Sequence, residues 1–152
     1  MTLNINNQED IFSRLKNLDK DATPQWGLMT PQHIVEHLAF SVAISSGKGP
    51  QHLYSQQEVA DAIKQKIIYT DAELTPGVKN PILGDELPAL VHKDMQAAIE
   101  NLKAELDYFE EYFNTNPQAK TTQPRMGLMD KTEWITLHNK HFTHHFKQYN
   151  LV

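Results

Sequence analysis

Between Met95 and Phe113 the residues Met95, Ile99, Leu102, Leu106, Phe109 and Phe113 recur at alternating spacings of four and three, with Lys and Glu on the other positions. That period matches the turn of an α-helix and is incompatible with the two-residue period of a strand. An apolar stripe of this length must be covered by partner surfaces, and the rest of the chain offers them in the same form. Ile11, Phe12, Leu15 and Leu18 follow Asn6 and Asn7, either of which suits an N-cap. In "MTPQHIVEHLAFSVAISSGKG", Thr30 is a fitting N-cap, Pro31 fits the first helical position and Gly47 fits the exit. Asp130, with Glu133 three residues on, opens a last helix running to about Tyr149. Four main helices therefore predict an all-α helical bundle.

A shorter accessory helix is expected in "SQQEVADAIKQKII", where Ser55 and Glu58 stand at capping-box spacing and Val59, Ile63 and Ile67 mark one stripe. Three connections interrupt the pattern: "DATPQWG", "QAKTTQPRMGLM", and the stretch from Tyr69 to Pro88 with Pro76, Gly77, Pro81 and Gly84. Long irregular loops of the last kind are either passive crossovers or covers for a site. No sustained strand and no internal repeat is visible. The length of 152 residues is that of one domain, 1–152, able to bury its own core.

Net charge is −5 and no basic stripe is present, which argues against a nucleic-acid or anionic-membrane binder. No apolar run approaches a membrane span. The opening "MTLNINNQED" has neither the basic nor the apolar region of a signal peptide, so a soluble cytoplasmic protein is expected. Cysteine is absent, which excludes thiolate nucleophiles and Cys-type metal sites; any metal centre must use His, Asp or Glu. The apolar content allows a homodimer without requiring one.

Four of the eight histidines fall within "LHNKHFTHHFKQY". At about 100° per residue, with His141 at zero, His145 lies near 40°, His138 near 60°, Trp134 near 20°, Gln148 near −20° and His144 near −60°. Trp134, His138, His141, His145 and Gln148 thus share one narrow helix face. The i, i+4 pair His141/His145 can direct two imidazoles at one ion. Such a pair is also common on solvated helices, and a mononuclear catalytic site needs a third ligand and an open position. "HIVEH" supplies candidates in His33 and His37, again four residues apart. His52 and His92 lie in or beside connections and are expected to be solvated, as is Glu36, which points away from His37.

Three segments together resemble the DinB-like/YfiT-like superfamily. "KHFTHHFKQ" is similar to its last-helix signature, in which H-x-x-x-H precedes a Gln near the chain end. "PRMGLMDKTEW" resembles the G-x-[LM]-x-x-x-E-W lead-in of a small-protein branch, and "WGLMTPQHIVEHLAF" its second helix. The resemblance covers essentially the whole chain in order and length. It implies a four-helix bundle of the DinB/YfiT type with long connections, binding a divalent transition metal, nickel or zinc foremost and iron or manganese as further options. The implied ligands are His37, the histidine followed by Leu38, with His141 and His145. His33, Trp134, His138, His144 and Gln148 are then lining or supporting residues. Characterised members include thiol-dependent S-transferases, a maleylpyruvate isomerase and metal-dependent hydrolases. One departure stands out: where the superfamily often reads His-Arg-Gly-Gln, this chain has Phe146 and Lys147 in place of the Arg and Gly. The planar cation that could meet an anionic thiol is missing, which weakens thiol transfer more than metal binding.

An ion held by three neutral imidazoles keeps its double charge and can polarise a carbonyl or acidify a water or thiol. The expectation is a small-molecule transferase or hydrolase, any sulfur nucleophile being a low-molecular-weight thiol cosubstrate. His33 or His138 could move a proton, although each is more readily read as lining. Glu133 is explained by its cap, and Trp134 by packing beside the ion. The rival expectation is a metal-stabilised binding or structural domain without turnover. A closed four-ligand site, completed by His33 or His138, would favour that rival.

Overall fold

A computed structural model describes residues 1–78 and 86–152. Among them are five helices: α1 (Gln8–Lys16), α2 (Pro31–Ser45), α3 (Gln57–Ile68), α4 (Met95–Thr115) and α5 (Lys131–Lys147). Two short strands, β1 (Thr121–Gln123) and β2 (Gly127–Met129), lie between α4 and α5. The chain is thus mostly helical.

α2 and α4 form the most extensive helix pair. From the α4 stripe Leu102, Leu106, Phe109 and Phe113 are buried, joined by Ala98, while Met95 and Ile99 are partly buried. Facing that stripe, α2 buries Ile34, Val35, Leu38, Ala39 and Val42, an apolar surface wide enough that α4, β1 and α5 all pack against the helix. α5 closes the core with Trp134, Leu137, Phe142 and Phe146. The segment before α1 lies along α5: the Leu3 N–H donates to Thr143 Oγ1 at 2.8 Å and the Ile5 N–H to Asn139 Oδ1 at 2.9 Å. Those bonds satisfy a buried extended segment that has no ladder partner.

Helix starts follow their caps. Asn7 caps α1 by accepting from the Asp10 N–H. Thr30 and Asp130 head full capping boxes, with His33 and Glu133 as the reciprocal third residues. The capping box expected at Ser55 and Glu58 does not form: Gln56 occupies the N-cap of α3 and makes no side-chain cap hydrogen bond. α3 is fastened at its other end instead. Lys140 of α5 donates to the carbonyls of Ile67, Thr70 and Ala72 at 2.6, 2.7 and 2.8 Å. A cation there meets the negative end of the helix dipole and fills three acceptors at once.

The hairpin is a departure from the sequence reading, which treated "QAKTTQPRMGLM" as a loop. Its strands are three residues each, too short for a period-two pattern to show. They pair antiparallel, Thr121 opposite Met129, Thr122 opposite Leu128 and Gln123 opposite Gly127. Packing against α2, α3 and α5 holds them, with Thr121 and Met129 buried. Glu36 also departs from expectation. Rather than facing solvent, its carboxylate accepts the backbone N–H groups of Val91 and His92, at 3.0 and 2.7 Å to Oε1, and so anchors the approach to α4. Among the described residues no helix is long and apolar enough to cross a membrane.

Candidate metal centre

His37 comes from the middle of α2, and His141 and His145 come from successive turns of α5. The packing of α5 on α2 turns these three imidazoles toward one point. His37 Nε2 and His141 Nε2 stand 2.9 Å apart, and His145 Nε2 lies 3.1 Å from His141 Nε2. The three rings meet edge to face, with centroids 4.8 to 4.9 Å apart. His37, His141 and His145 therefore form a group able to hold a metal ion, one ligand atom from each within 4.8 Å of the others.

The chemistry of the donors fits an ion. Burial holds all three imidazoles neutral: it lowers His37 to about 4 and His145 to about 3, and His141 well below its ordinary value of 6.5, with mutual repulsion adding to the effect. A neutral imidazole offers one lone pair. Three such lone pairs brought together repel unless a proton or cation lies between them. Three nitrogens around a tetrahedral zinc sit about 3.3 Å apart, as zinc–nitrogen bonds of about 2.0–2.1 Å require, so the two short separations are near that geometry.

The tautomer of His145 is fixed by a short chain of hydrogen bonds. Gln148 Nε2 lies 2.8 Å from the Trp26 carbonyl, which can only accept, so the amide NH2 must face it. Its Oε1 therefore faces His145 Nδ1 at 2.9 Å, and Nδ1 must carry the proton. The lone pair is left on Nε2, pointing at the cluster. Gly27 makes the approach feasible: it has φ of +79°, and a Cβ there would stand 3.1 Å from Gln148 Nε2. His37 Nδ1 and His138 Nδ1 are buried without a hydrogen-bond partner among the described residues.

A family model described as a protein of unknown function, DUF1569, matches residues 1–150. The chain belongs to the DUF1569 family. The matched DUF1569 segment contains all three histidines and Gln148, so the cluster is part of the family domain and not an appendage. No curated protein and no solved structure matches the chain.

In this DUF1569 chain the cluster faces a cleft of about 610 Å³. Its floor is the α5 face predicted from sequence: Trp134, His138, His141, His145 and Gln148 all line it, and so does His144. His144 Nδ1 lies 3.2 Å from the Leu74 carbonyl and its ring packs on Trp26, which ties α5 to two wall segments. His138 is fully buried, stacked on Trp134, with Nε2 2.9 Å from Ser45 Oγ. Trp134 donates its Nε1–H to Thr121 Oγ1, which in turn donates to the Ser45 carbonyl, both at 2.8 Å. These bonds hold the α5 face against α2 and the hairpin.

His33 is placed otherwise than expected. It is not among the residues that line the cleft. Its Nδ1 completes the Thr30 capping box and its Nε2 lies 3.0 Å from the Pro88 carbonyl, so both ring nitrogens are engaged at the start of α2. The connection from Tyr69 to Pro88 contributes Glu73, Leu74, Thr75, Gly77, Val78, Glu86, Leu87 and Pro88 to the cleft, while Pro81 and Gly84 lie outside the described residues. Other lining residues lie in segments that the resemblance covers but for which it named no role: Trp26 to Met29 ahead of α2, and Arg125 in the hairpin turn. Ser41 also lines the cleft, and its place four residues after His37 would have found it.

Proposed function

We propose that the chain is a divalent-metal-dependent enzyme of the DinB/YfiT-like helical type, acting on a small molecule bound in the cleft. The observation that carries this reading is the convergence of three neutral imidazole Nε2 atoms at the wall of an open cleft. His37, His141 and His145 would hold the ion, with Gln148 orienting His145. An all-imidazole donor set suits nickel or zinc. When bound, the ion supplies Lewis-acid charge to a carbonyl, water or thiol of the reacting pair.

The chain's own residues favour an open site over a closed structural one. The two histidines that could have completed a fourth corner are committed elsewhere, His33 to the α2 cap and Pro88, His138 to Ser45. They also favour hydrolysis over thiol transfer. Lys147, the cation nearest to the superfamily's arginine position, pairs with Glu73 at 3.0 Å and is not available to fix an anionic thiol.

The test is elemental analysis of protein purified without a histidine tag, beside the His141→Ala/His145→Ala double variant. About one equivalent of a transition metal in the wild type and none in the variant is the expected result. A wild type that carries no metal and takes up none on dialysis against nickel or zinc sinks the proposal.

A further inference from the structure

Across the hairpin from β1 to β2, Arg125 reaches the cleft from a turn whose backbone is fixed on both sides. Gln123 Oε1 accepts the N–H groups of Arg125 and Met126 at 2.6 and 2.8 Å, and the Tyr54 N–H donates to the Pro124 carbonyl at 2.9 Å. The side chain carried by this rigid turn is half-buried and lines the cleft. Among the described residues no carboxylate or carbonyl accepts from its guanidinium, a group with five donors in a planar fork. Lys66 of α3 lines the same cleft and likewise meets no carboxylate among the described residues. Among the described residues the acidic side chains of the cleft do not answer them: Glu73 is taken by Lys147, and Glu86 is exposed. The same cleft carries apolar lining from Ile63, Ile67, Leu74 and Met126.

A partly desolvated guanidinium on a fixed turn, without a partner among the described residues, is costly to keep unless a ligand pairs with it. We propose that the cleft takes a small organic carboxylate with an apolar body, its carboxylate on Arg125 with Lys66 in support, and its reacting end toward the histidine cluster. The substrate class so named rests on the reading of that cluster as the metal centre. A carboxylate is the anion favoured here because its two oxygens match the planar fork and the surrounding wall asks for hydrocarbon.

The experiment measures binding of hexanoate, hexanol and inorganic phosphate to the full chain by calorimetry, with and without zinc. The proteins are the wild type, Arg125→Gln, Arg125→Lys and Lys66→Gln. Hexanoate should bind wild type about tenfold or more tighter than hexanol. Arg125→Gln should remove that preference while zinc uptake stays unchanged, and Arg125→Lys should restore part of it. Lys66→Gln, on an exposed position that folding does not depend on, should weaken hexanoate to a smaller extent and covers the case in which both Arg125 variants fold poorly. The proposal is overturned if Arg125→Gln binds hexanoate as wild type does, or if phosphate displaces hexanoate at equal concentration, which would assign the cations to a phosphoryl group. Hexanoate binding that requires zinc and ignores Arg125 would also overturn it, with the metal reading intact. Conversely, Arg125-dependent binding in a protein that takes up no zinc would support the carboxylate subsite and sink the metal reading alone.

Discussion

At the residue scale, the bond from His145 Nδ1 to Gln148 decides which nitrogen faces the cluster. Loss of such an orienting partner typically lowers metal affinity about 10–100-fold. Gln148→Leu should therefore weaken zinc binding by roughly that factor in a chelator competition. Tyr149→Phe is the matched control. Tyr149 holds the same wall segment through the Met29 carbonyl but makes no hydrogen bond to His145, so its variant should keep wild-type affinity. Equal losses in the two variants would show that the wall, and not the imidazole tautomer, is what matters. His138 and Ser45 pose a different residue problem. His138 lines the cleft floor, yet its bond to Ser45 serves the packing of α5 on α2, although sequence spacing put it on the same face as His141 and His145.

At the element scale, α3 is joined to the bundle by polar ties as well as by packing. Glu133 accepts from Lys64 at 2.7 Å, from the Tyr69 hydroxyl at 2.9 Å and from the Asp130 N–H at 3.1 Å. Burial pushes its carboxyl upward, but these three donors outweigh that and hold it below the usual glutamate range. One residue thus closes the α5 cap and fastens α3, whose far end Lys140 secures. Glu133→Ala should cost about 2–3 kcal/mol, since it removes a cap and leaves a partly buried ammonium unpaired. Glu133→Gln keeps the capping box and should cost less, about 1 kcal/mol. Urea unfolding of both variants measures the difference, and an equal cost would assign the whole effect to the ion pair.

At the scale of the whole molecule, pH acts on the buried imidazoles that include the proposed metal ligands. Burial lowers His37 to about 4 and His138 and His145 to about 3 from 6.5. The unfolded chain therefore binds protons near pH 6.5 that the folded chain refuses. Stability of the metal-free protein should be complete above pH 6.5 and fall steadily as pH drops toward 3. The urea midpoint followed from pH 7 to pH 4 checks this, and a flat profile would contradict the burial of these rings. Zinc at about a hundred times its dissociation constant should add about 2.7 kcal/mol. For a chain of this size that raises the melting temperature by roughly 5–10 °C, and the gain should vanish in the His141→Ala/His145→Ala variant and on acidification.

The sequence by itself determined the helices and the α5 face, because both follow from local periods and caps. The stripe from Met95 to Phe113, the caps at Asn6 or Asn7, at Thr30 and at Asp130, and the shared face of Trp134, His138, His141, His145 and Gln148 needed no knowledge of distant contacts. The choice of His37 over His33 was not legible from spacing. The two stand four residues apart, and it is the rotation of α2 against α5 that turns one toward the cluster while the other closes the α2 cap. The hairpin, the carbonyl clamp of Lys140 on α3, and the Arg125 wall were likewise decided by tertiary structure. Each depends on a tie between segments far apart in sequence, Thr121 to Ser45, Lys140 to Ile67 and Pro124 to Tyr54. No local pattern encodes such partners, because the energy that holds them comes from burial and hydrogen bonds formed only when the helices pack.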